Sequence, residues 1–115
     1  ILSRAMAQNS RISLISDPFD AAAGADVINT DVWASMGQEH EADSRKNVFL
    51  PYCVDAKMVG VAAKDVIVMH CLPAHRGEEI SAELMDAPDT VIWMEAENRL
   101  HAQKALIESL LLANQ

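Results

Sequence analysis

The chain has 115 residues, of which 50% are hydrophobic and 23% charged, so it can form one globular domain with a core. Its 17 acidic and 9 basic side chains give a formal net charge of -8, which argues against nucleic acid or an anionic membrane surface as the main partner. Its apolar runs fall short of the roughly 18 residues that a membrane-spanning helix needs.

In chain order, the pattern alternates between strands and helices. It begins with a helix remnant over residues 1–9, which has neither an N-cap nor an initiator methionine, so we expect the chain to be a piece of a longer one. β-branched or alternating apolar residues predict four strands, at 11–15, 26–30, 66–69 and 90–94. The predicted helices lie at 19–23, 39–49, 56–63, 81–86 and 96–113.

Several of the predicted helices have explicit end signals. Asp17 and Pro18 supply an N-cap and a proline at the first helical position, and Gly24 is a favoured C-cap residue. Asp55 and Ser81 can cap two later helices in the same way. Strands that alternate with helices are typical of βαβ units, so the sequence predicts an α/β fold with a mostly parallel sheet. With only four glycines and no glycine-rich phosphate loop, the sequence does not favour nucleotide binding.

The strand predicted over 66–69 leads directly into His70 and Cys71. In open α/β sheets ligands bind beyond the carboxyl ends of the strands, so both residues are candidates for a site. Neighbours on a strand point to opposite faces, so adjacency does not imply a catalytic Cys–His pair, and two core-edge residues remain the simpler interpretation. The spacing also lacks a Cys-x-x-Cys ligand pattern, so no metal site is predicted. In the turn that follows, His75 and Arg76 are a weaker candidate for binding an anion or forming a mobile flap.

Two other polar stretches follow predicted strands. Asp31 can accept hydrogen bonds from an ammonium group, and Ser35 with the peptide groups around Met36 can hold a carboxylate, which together suit an amino acid's head. An ordinary loop, in which Asp31 bonds to its own backbone, explains the same residues. Arg99 lies in the first turns of the last predicted helix, where it can bind a phosphate or form a weak surface pair with a glutamate.

Three stretches together resemble the ornithine carbamoyltransferase family. They are Asp-Val-Trp-Ala-Ser-Met-Gly-Gln-Glu at 31–39, His-Cys-Leu-Pro-Ala-His-Arg-Gly-Glu-Glu at 70–79 and Glu-Ala-Glu-Asn-Arg-Leu-His-Ala-Gln-Lys-Ala at 95–105. The match keeps the family's order over nearly the whole chain. It implies a three-layer Rossmann-like domain, incomplete at the N-terminus, in which residues 1–95 are part of the L-ornithine-binding domain. Residues 96–115 would then be the terminal helix that packs back on the absent carbamoyl-phosphate domain.

The resemblance also implies an activity: transfer of the carbamoyl group of carbamoyl phosphate to the side-chain amine of L-ornithine, giving L-citrulline and phosphate in arginine metabolism. The family needs no cofactor or metal. The residues that carry over are, for ornithine, Asp31, Ser35 and Met36 and, for carbamoyl phosphate, Cys71, Leu72 and Arg99. A lysine-like amine titrates near ~10.4, so it must lose a proton before attack, and Asp31 and Cys71 are the candidates for assisting this. Cys71 is not a covalent nucleophile in that scheme.

The family's phosphate-binding Ser-Thr-Arg-Thr-Arg motif and its His-Pro-x-Gln stretch do not occur in this sequence. The family's catalytic unit is a trimer that holds carbamoyl phosphate across a subunit boundary, so we expect the isolated chain to be inactive and, with apolar helix residues exposed, poorly stable. Two cysteines without a recognisable secretory signal favour a reduced, cytoplasmic protein. The alternatives are a non-catalytic module that binds an amino acid or a partner chain, and a sister carbamoyltransferase that uses another amine. A simple diamine has no α-carboxylate for the Ser35–Gly37 loop to bind, which disfavours the second.

Overall fold

The computed structural model describes residues 1–9, 11–34 and 42–113. Its elements in chain order are α1 (Leu2–Gln8), α2 (Pro18–Ala22), β1 (Val27–Thr30), α3 (Ala42–Phe49), a 3₁₀ turn (Leu50–Tyr52), α4 (Ala56–Val61), β2 (Ile67–His70), α5 (Ala82–Met85) and α6 (Ile92–Leu112). Across these ranges, no helix combines the length and the hydrophobicity that crossing a bilayer would require.

The sheet described by the structure consists of β1 and β2, which pair in parallel with Val27 opposite Ile67 and Thr30 opposite His70. A parallel pair needs a long crossover connection, and the chain between the two strands carries α3 and α4. The predicted α/β fold with a parallel sheet is therefore confirmed. Because the strands end in register, residues 31 and 71 leave the sheet side by side.

The helix caps predicted at Asp17, Asp55 and Ser81 form as expected. The carboxylates of Asp17 and Asp55 each accept hydrogen bonds from two backbone N–H groups of the helix that follows, and the Ser81 hydroxyl accepts one. Pro18 occupies the first position of α2. Gly24 follows that helix with φ of 69°, a left-handed conformation that glycine adopts without the steric cost of a Cβ atom.

The core consists of two small clusters of buried side chains. One is formed by Ala22, Val54 and Met58, and the other by Ile80, Met85 and Ile92. Val68 of β2 and Leu84 of α5 pack against both clusters. Strand β2 therefore connects the cluster on the α2–α4 side of the molecule with the cluster on the α5–α6 side.

The strand predicted at 11–15 is wrong, because these described residues form no strand and Leu14 is 71% exposed. An alternating apolar pattern becomes a strand only where it pairs with a neighbouring strand and packs one face on a core. Neither condition is met here, since β1 pairs with β2 alone among the described strands.

The strand predicted at 90–94 is also wrong, because α6 begins at Ile92, four residues before the predicted helix start. A helix places residues three apart on one face, whereas a strand places them on opposite faces. Ile92 is fully buried in the second cluster, and the Glu95 carboxylate accepts a hydrogen bond from the His70 backbone N–H at 2.9 Å. Only the helix satisfies both contacts, so packing overrides the β-branched composition of this stretch.

Most of α6 leaves its apolar side chains in solvent. Leu100, Leu106, Ile107, Leu110 and Leu111 are all exposed. An exposed apolar strip of this kind marks a contact surface or an aggregation hazard.

We predict that Ile92→Val lowers the free energy of unfolding by about 1 kcal/mol, because it removes one methyl group from a closed core site. The matched control is Ile107→Val, the same substitution on the same helix at a residue that is 59% exposed. Urea unfolding followed by circular dichroism gives both values, and equal effects would contradict the packing of Ile92 described here.

Candidate functional site

The parallel register places Asp31 and Cys71 next to each other, each one residue beyond its strand. The Asp31 carboxylate is close enough to the Cys71 thiol to raise the pKa of that thiol. Asp31 Oδ1 also accepts a hydrogen bond of 2.7 Å from the Val32 backbone N–H, so the local loop interaction expected from the sequence is present as well. Both residues are exposed at the carboxyl end of the sheet, where a ligand can reach them.

The environment of Cys71 keeps its thiol protonated. Partial burial raises the pKa of Cys71 most, and the hydrogen bond and negative charge of Asp31 raise it further, with a smaller contribution from the Glu95 charge. Only a thiolate is a strong nucleophile, so this thiol is suited to donating a hydrogen bond and not to covalent attack.

His70 is fully buried while Cys71 is exposed, so the two side chains do not form a catalytic pair. His70 Nε2 lies 3.0 Å from Glu79 Oε1, and the Leu72 backbone N–H donates to His70 Nδ1 at 2.9 Å. Because Nδ1 accepts a hydrogen bond, the ring proton belongs on Nε2, where it is donated to the Glu79 carboxylate. The imidazole therefore serves as a fixed support for the strand end.

Glu79 is a buried carboxylate that was not predicted from the sequence. Its Oε1 accepts hydrogen bonds from both His70 Nε2 and the His75 backbone N–H, while its Oε2 has no hydrogen-bond partner among the described residues. Glu78 beside it is partly exposed. Two adjacent glutamates look alike in a sequence, and the one weak signal of burial was that Glu79 directly precedes the apolar Ile80.

Leu72 has a backbone conformation that side-chain-bearing residues rarely adopt. Its φ is 54°, and the peptide bond that joins it to Pro73 is cis. A left-handed conformation costs an L-residue on the order of 1–2 kcal/mol, so contacts around it must hold it in place. The Leu72 N–H bond to His70 and the packing of its side chain on the second core cluster provide that hold.

Arg99 lies on α6 one turn after Glu95, on the same face of the helix. It is exposed, and within the described ranges it makes neither an ion pair nor a hydrogen bond. Since α6 begins at Ile92, Arg99 is not in the first turns, and the predicted assistance from a helix N-terminus is wrong. Ser35 and Met36 lie outside the described residues.

The turn after β2 holds its charged residues in pairs. Arg76 forms a bidentate ion pair with Asp86, with Nη2 2.7 Å from Oδ1 and Nε 3.0 Å from Oδ2, so this weaker anion candidate is already engaged. Lys46 of α3 contacts Glu78 at 2.8 Å, and this hydrogen bond is the main reason that the pKa of Glu78 is lowered. The turn after β2 is thus tied by ion pairs to α3, through Lys46, and to the end of α5, through Asp86.

Comparison with known proteins shows the same organisation in one group of enzymes. The family model for the Asp/Orn-binding domain of aspartate/ornithine carbamoyltransferases matches residues 1–110. An ornithine carbamoyltransferase of Paracidovorax citrulli is 54% identical over 107 residues, which are 93% of this chain and 35% of that protein. The anabolic ornithine carbamoyltransferase of Pseudomonas aeruginosa is 60% identical over 101 residues, which are 88% of this chain and 33% of that protein.

The solved structures agree with the sequences. The crystal structure of the anabolic ornithine carbamoyltransferase from Campylobacter jejuni superposes with a TM-score of 0.85 at 41% identity, covering 98% of this chain and 37% of that chain. The chain therefore spans about a third of the length of the relatives that it matches.

We predict that Asp31→Asn, in a Cys53→Ser background that leaves one thiol, makes alkylation of Cys71 by iodoacetamide several-fold faster at pH 8. Removing the Asp31 charge lowers the pKa of Cys71, and the gain in thiolate outweighs the modest loss of intrinsic nucleophilicity. Asp89→Asn is the control, because Asp89 is exposed and is not among the groups that act on Cys71. An unchanged or slower rate in the Asp31 variant would contradict the thiol–carboxylate contact.

We also predict that Glu79→Ala lowers the free energy of unfolding by about 3 kcal/mol, since it leaves the His70 Nε2–H and the His75 N–H without their acceptor. The same substitution at Glu83, an exposed residue of α5, should change it by no more than about 0.5 kcal/mol. Chemical denaturation of both variants measures the two changes in the free energy of unfolding. Similar decreases in both variants would contradict a special role for the buried Glu79 carboxylate.

Proposed function

This chain belongs to the aspartate/ornithine carbamoyltransferase family, and we propose that it supplies the ornithine-binding part of an ornithine carbamoyltransferase. The complete enzyme would transfer the carbamoyl group of carbamoyl phosphate to the side-chain amine of L-ornithine. The products would be L-citrulline and phosphate, in arginine metabolism. The structural observation that carries the proposal is the placement of Asp31 beside Cys71 at the carboxyl ends of two parallel strands, where the carboxylate raises the pKa of the thiol.

Asp31 and Cys71 have complementary roles in this proposal. The Asp31 carboxylate is exposed and negative, so it suits the cationic ammonium groups of ornithine. The attacking amine must be neutral, and Asp31 is the group that we propose to accept its proton. Cys71, held as a neutral thiol by its raised pKa, would contribute a hydrogen bond without competing as a nucleophile. Attack forms the bond from nitrogen to the carbamoyl carbon, and the bond from that carbon to phosphate oxygen breaks with phosphate leaving.

Ser35 and Met36 are proposed as further ornithine ligands on the basis of the family motif alone. They follow Asp31 in the same loop by sequence, where backbone and hydroxyl groups suit an α-carboxylate. The preference for an amino-acid substrate over a simple diamine would depend on this pair.

Leu72 and Arg99 are proposed to contact carbamoyl phosphate together with Cys71. Arg99 supports this role because its guanidinium is exposed and uncommitted within the described part of the chain, and a planar fork binds phosphate oxygens in pairs. The bond from the His70 N–H to Glu95 fixes α6 against the strand end, one turn before Arg99. Leu72, with its unusual backbone conformation, lies at the same strand end.

The remaining two-thirds of such an enzyme would supply the other half of the phosphate site. We propose that residues 1–95 are part of the ornithine-binding domain and that residues 96–115 pack on the N-terminal domain, through the leucines that α6 exposes here. The complete protein is proposed to be a homotrimer in the cytoplasm. On this proposal the isolated chain binds carbamoyl phosphate weakly and does not catalyse carbamoyl transfer.

We predict that citrulline forms when this chain is mixed with a separately produced N-terminal part of an ornithine carbamoyltransferase, and not with the chain alone. In the mixture, Arg99→Leu should reduce the rate by about 100-fold or more, because it removes a positioned charge from the leaving phosphate. His101→Ala is the control, since it is an exposed residue on the same helix.

Turnover by the chain alone would show that the phosphate site does not need the missing part. Full activity of Arg99→Leu in the mixture would remove Arg99 from the site. If the mixture is inactive but the chain binds ornithine in a calorimetric titration, the non-catalytic binding module becomes the better description.

A further inference from the structure

One imidazole and two carboxylates meet in the turn after β2, outside the residues proposed to bind substrate. Ligand-type atoms of His75, Glu78 and Glu79 all lie within 4.8 Å of one another. The His75 and Glu78 side chains are 56% and 32% exposed, while Glu79 is fully buried beneath the turn. The cluster is therefore open to solvent on one side and closed on the other.

In each of the two carboxylates, one oxygen makes close hydrogen bonds to the protein. Glu78 Oε1 contacts Lys46 Nζ at 2.8 Å, and its Oε2 lies 3.7 Å from His75 Nδ1. Glu79 Oε1 accepts hydrogen bonds from His70 and from the His75 backbone. Its Oε2, although buried, has no hydrogen-bond partner within the described residues.

The unpaired oxygen of Glu79 is the observation that points to a ligand. Burying a polar atom without a partner is costly, and more so when the atom is charged, so an ion or a water is one explanation for such an atom. A water would satisfy one lone pair. A cation would also offset the charge of two neighbouring carboxylates, of which Glu78 is contacted by Lys46.

We propose that His75, Glu78 and Glu79 form a binding site for one divalent transition-metal ion of the zinc class. One imidazole nitrogen and two carboxylate oxygens are a donor set that Zn²⁺, Co²⁺ and Mn²⁺ accept, with open positions left for water. Metal-binding carboxylates are commonly hydrogen-bonded through their other oxygen, and Lys46 and His70 do this here. The His and Cys residues lack a spacing such as Cys-x-x-Cys, whereas this site uses one histidine with two glutamates in a His-x-x-Glu-Glu arrangement.

An ion at this position would act on the proposed catalytic strand end only through the protein. Glu79 holds His70, and His70 accepts the N–H of Leu72, so two hydrogen bonds separate the cluster from Leu72. Binding would tie the surface of the turn to its buried base and stabilise the folded chain. The site does not depend on the proposed activity, because none of its three ligands is among the proposed substrate-binding residues.

The test is an isothermal titration of ZnCl₂, repeated with MnCl₂, into the purified chain after treatment with a chelator. We expect one ion per chain and a metal-dependent rise in the thermal midpoint. His75→Ala and Glu78→Gln should each weaken binding by roughly 100-fold or more, at or above the upper end of the loss that is typical for outer-shell partners. Glu79 is left unchanged, because its removal is expected to destabilise the fold.

The matched control is His101→Ala, which removes a histidine from another exposed His–Glu pair, with Nε2 3.4 Å from Glu97 Oε1. That pair has no third ligand in the described chain, so its loss should leave zinc affinity unchanged. Cys71→Ser separates the proposed site from adventitious binding at the exposed thiol. The proposal is overturned if neither ion binds, if His75→Ala binds zinc as tightly as the parent chain, or if Cys71→Ser abolishes zinc binding.

Discussion

The buried contact between the His70 imidazole and the Glu79 carboxylate holds the end of β2 to the turn that follows it. Neither group is accessible to water, so a hydrogen bond to an ionised acceptor is worth more here than at the surface, and breaking it leaves a charge unpaired. The contact also sets the tautomer of His70, which in turn makes Nδ1 the acceptor for the Leu72 N–H. The unusual backbone of Leu72, and hence the direction in which Cys71 and Leu72 leave the sheet, depends on this one pair.

The electrostatics around the strand ends favour one of the two proposed substrates over the other. Asp31 and Glu95 both raise the pKa of Cys71, so the region carries negative potential in a chain of net charge -8. On the proposed function, that potential would attract the ammonium groups of ornithine and repel carbamoyl phosphate. The single positive charge of Arg99 equals only one of the two carboxylate charges. A phosphate site at this edge would therefore be favoured by further cations from the rest of the proposed enzyme.

Local signals predicted local structure well. The caps at Asp17 and Asp55 depend only on a side chain and the next turn, and both form. Strands β1 and β2 were predicted because each is a short stretch with β-branched residues, lying between helical patterns. The strand expected at 90–94 failed because its outcome depends on distant partners: Ile92 on a core cluster and Glu95 on the His70 N–H. No pattern along the chain reports such contacts, and the same holds for the burial of Glu79.

Few interactions stabilise the fold of the isolated chain. A two-stranded sheet is marginal in water, and among the described residues the two core clusters contain only three buried apolar side chains each. Against this, α6 exposes a strip of leucine and isoleucine side chains, from Leu100 to Leu111. A partner that covers this strip binds the folded chain and not the unfolded one, so it raises stability by mass action. Because α6 carries Arg99 and is fixed to β2 through Glu95, covering the helix would also rigidify the position of that guanidinium. Folding of the core and assembly of a phosphate site would therefore be coupled through one helix.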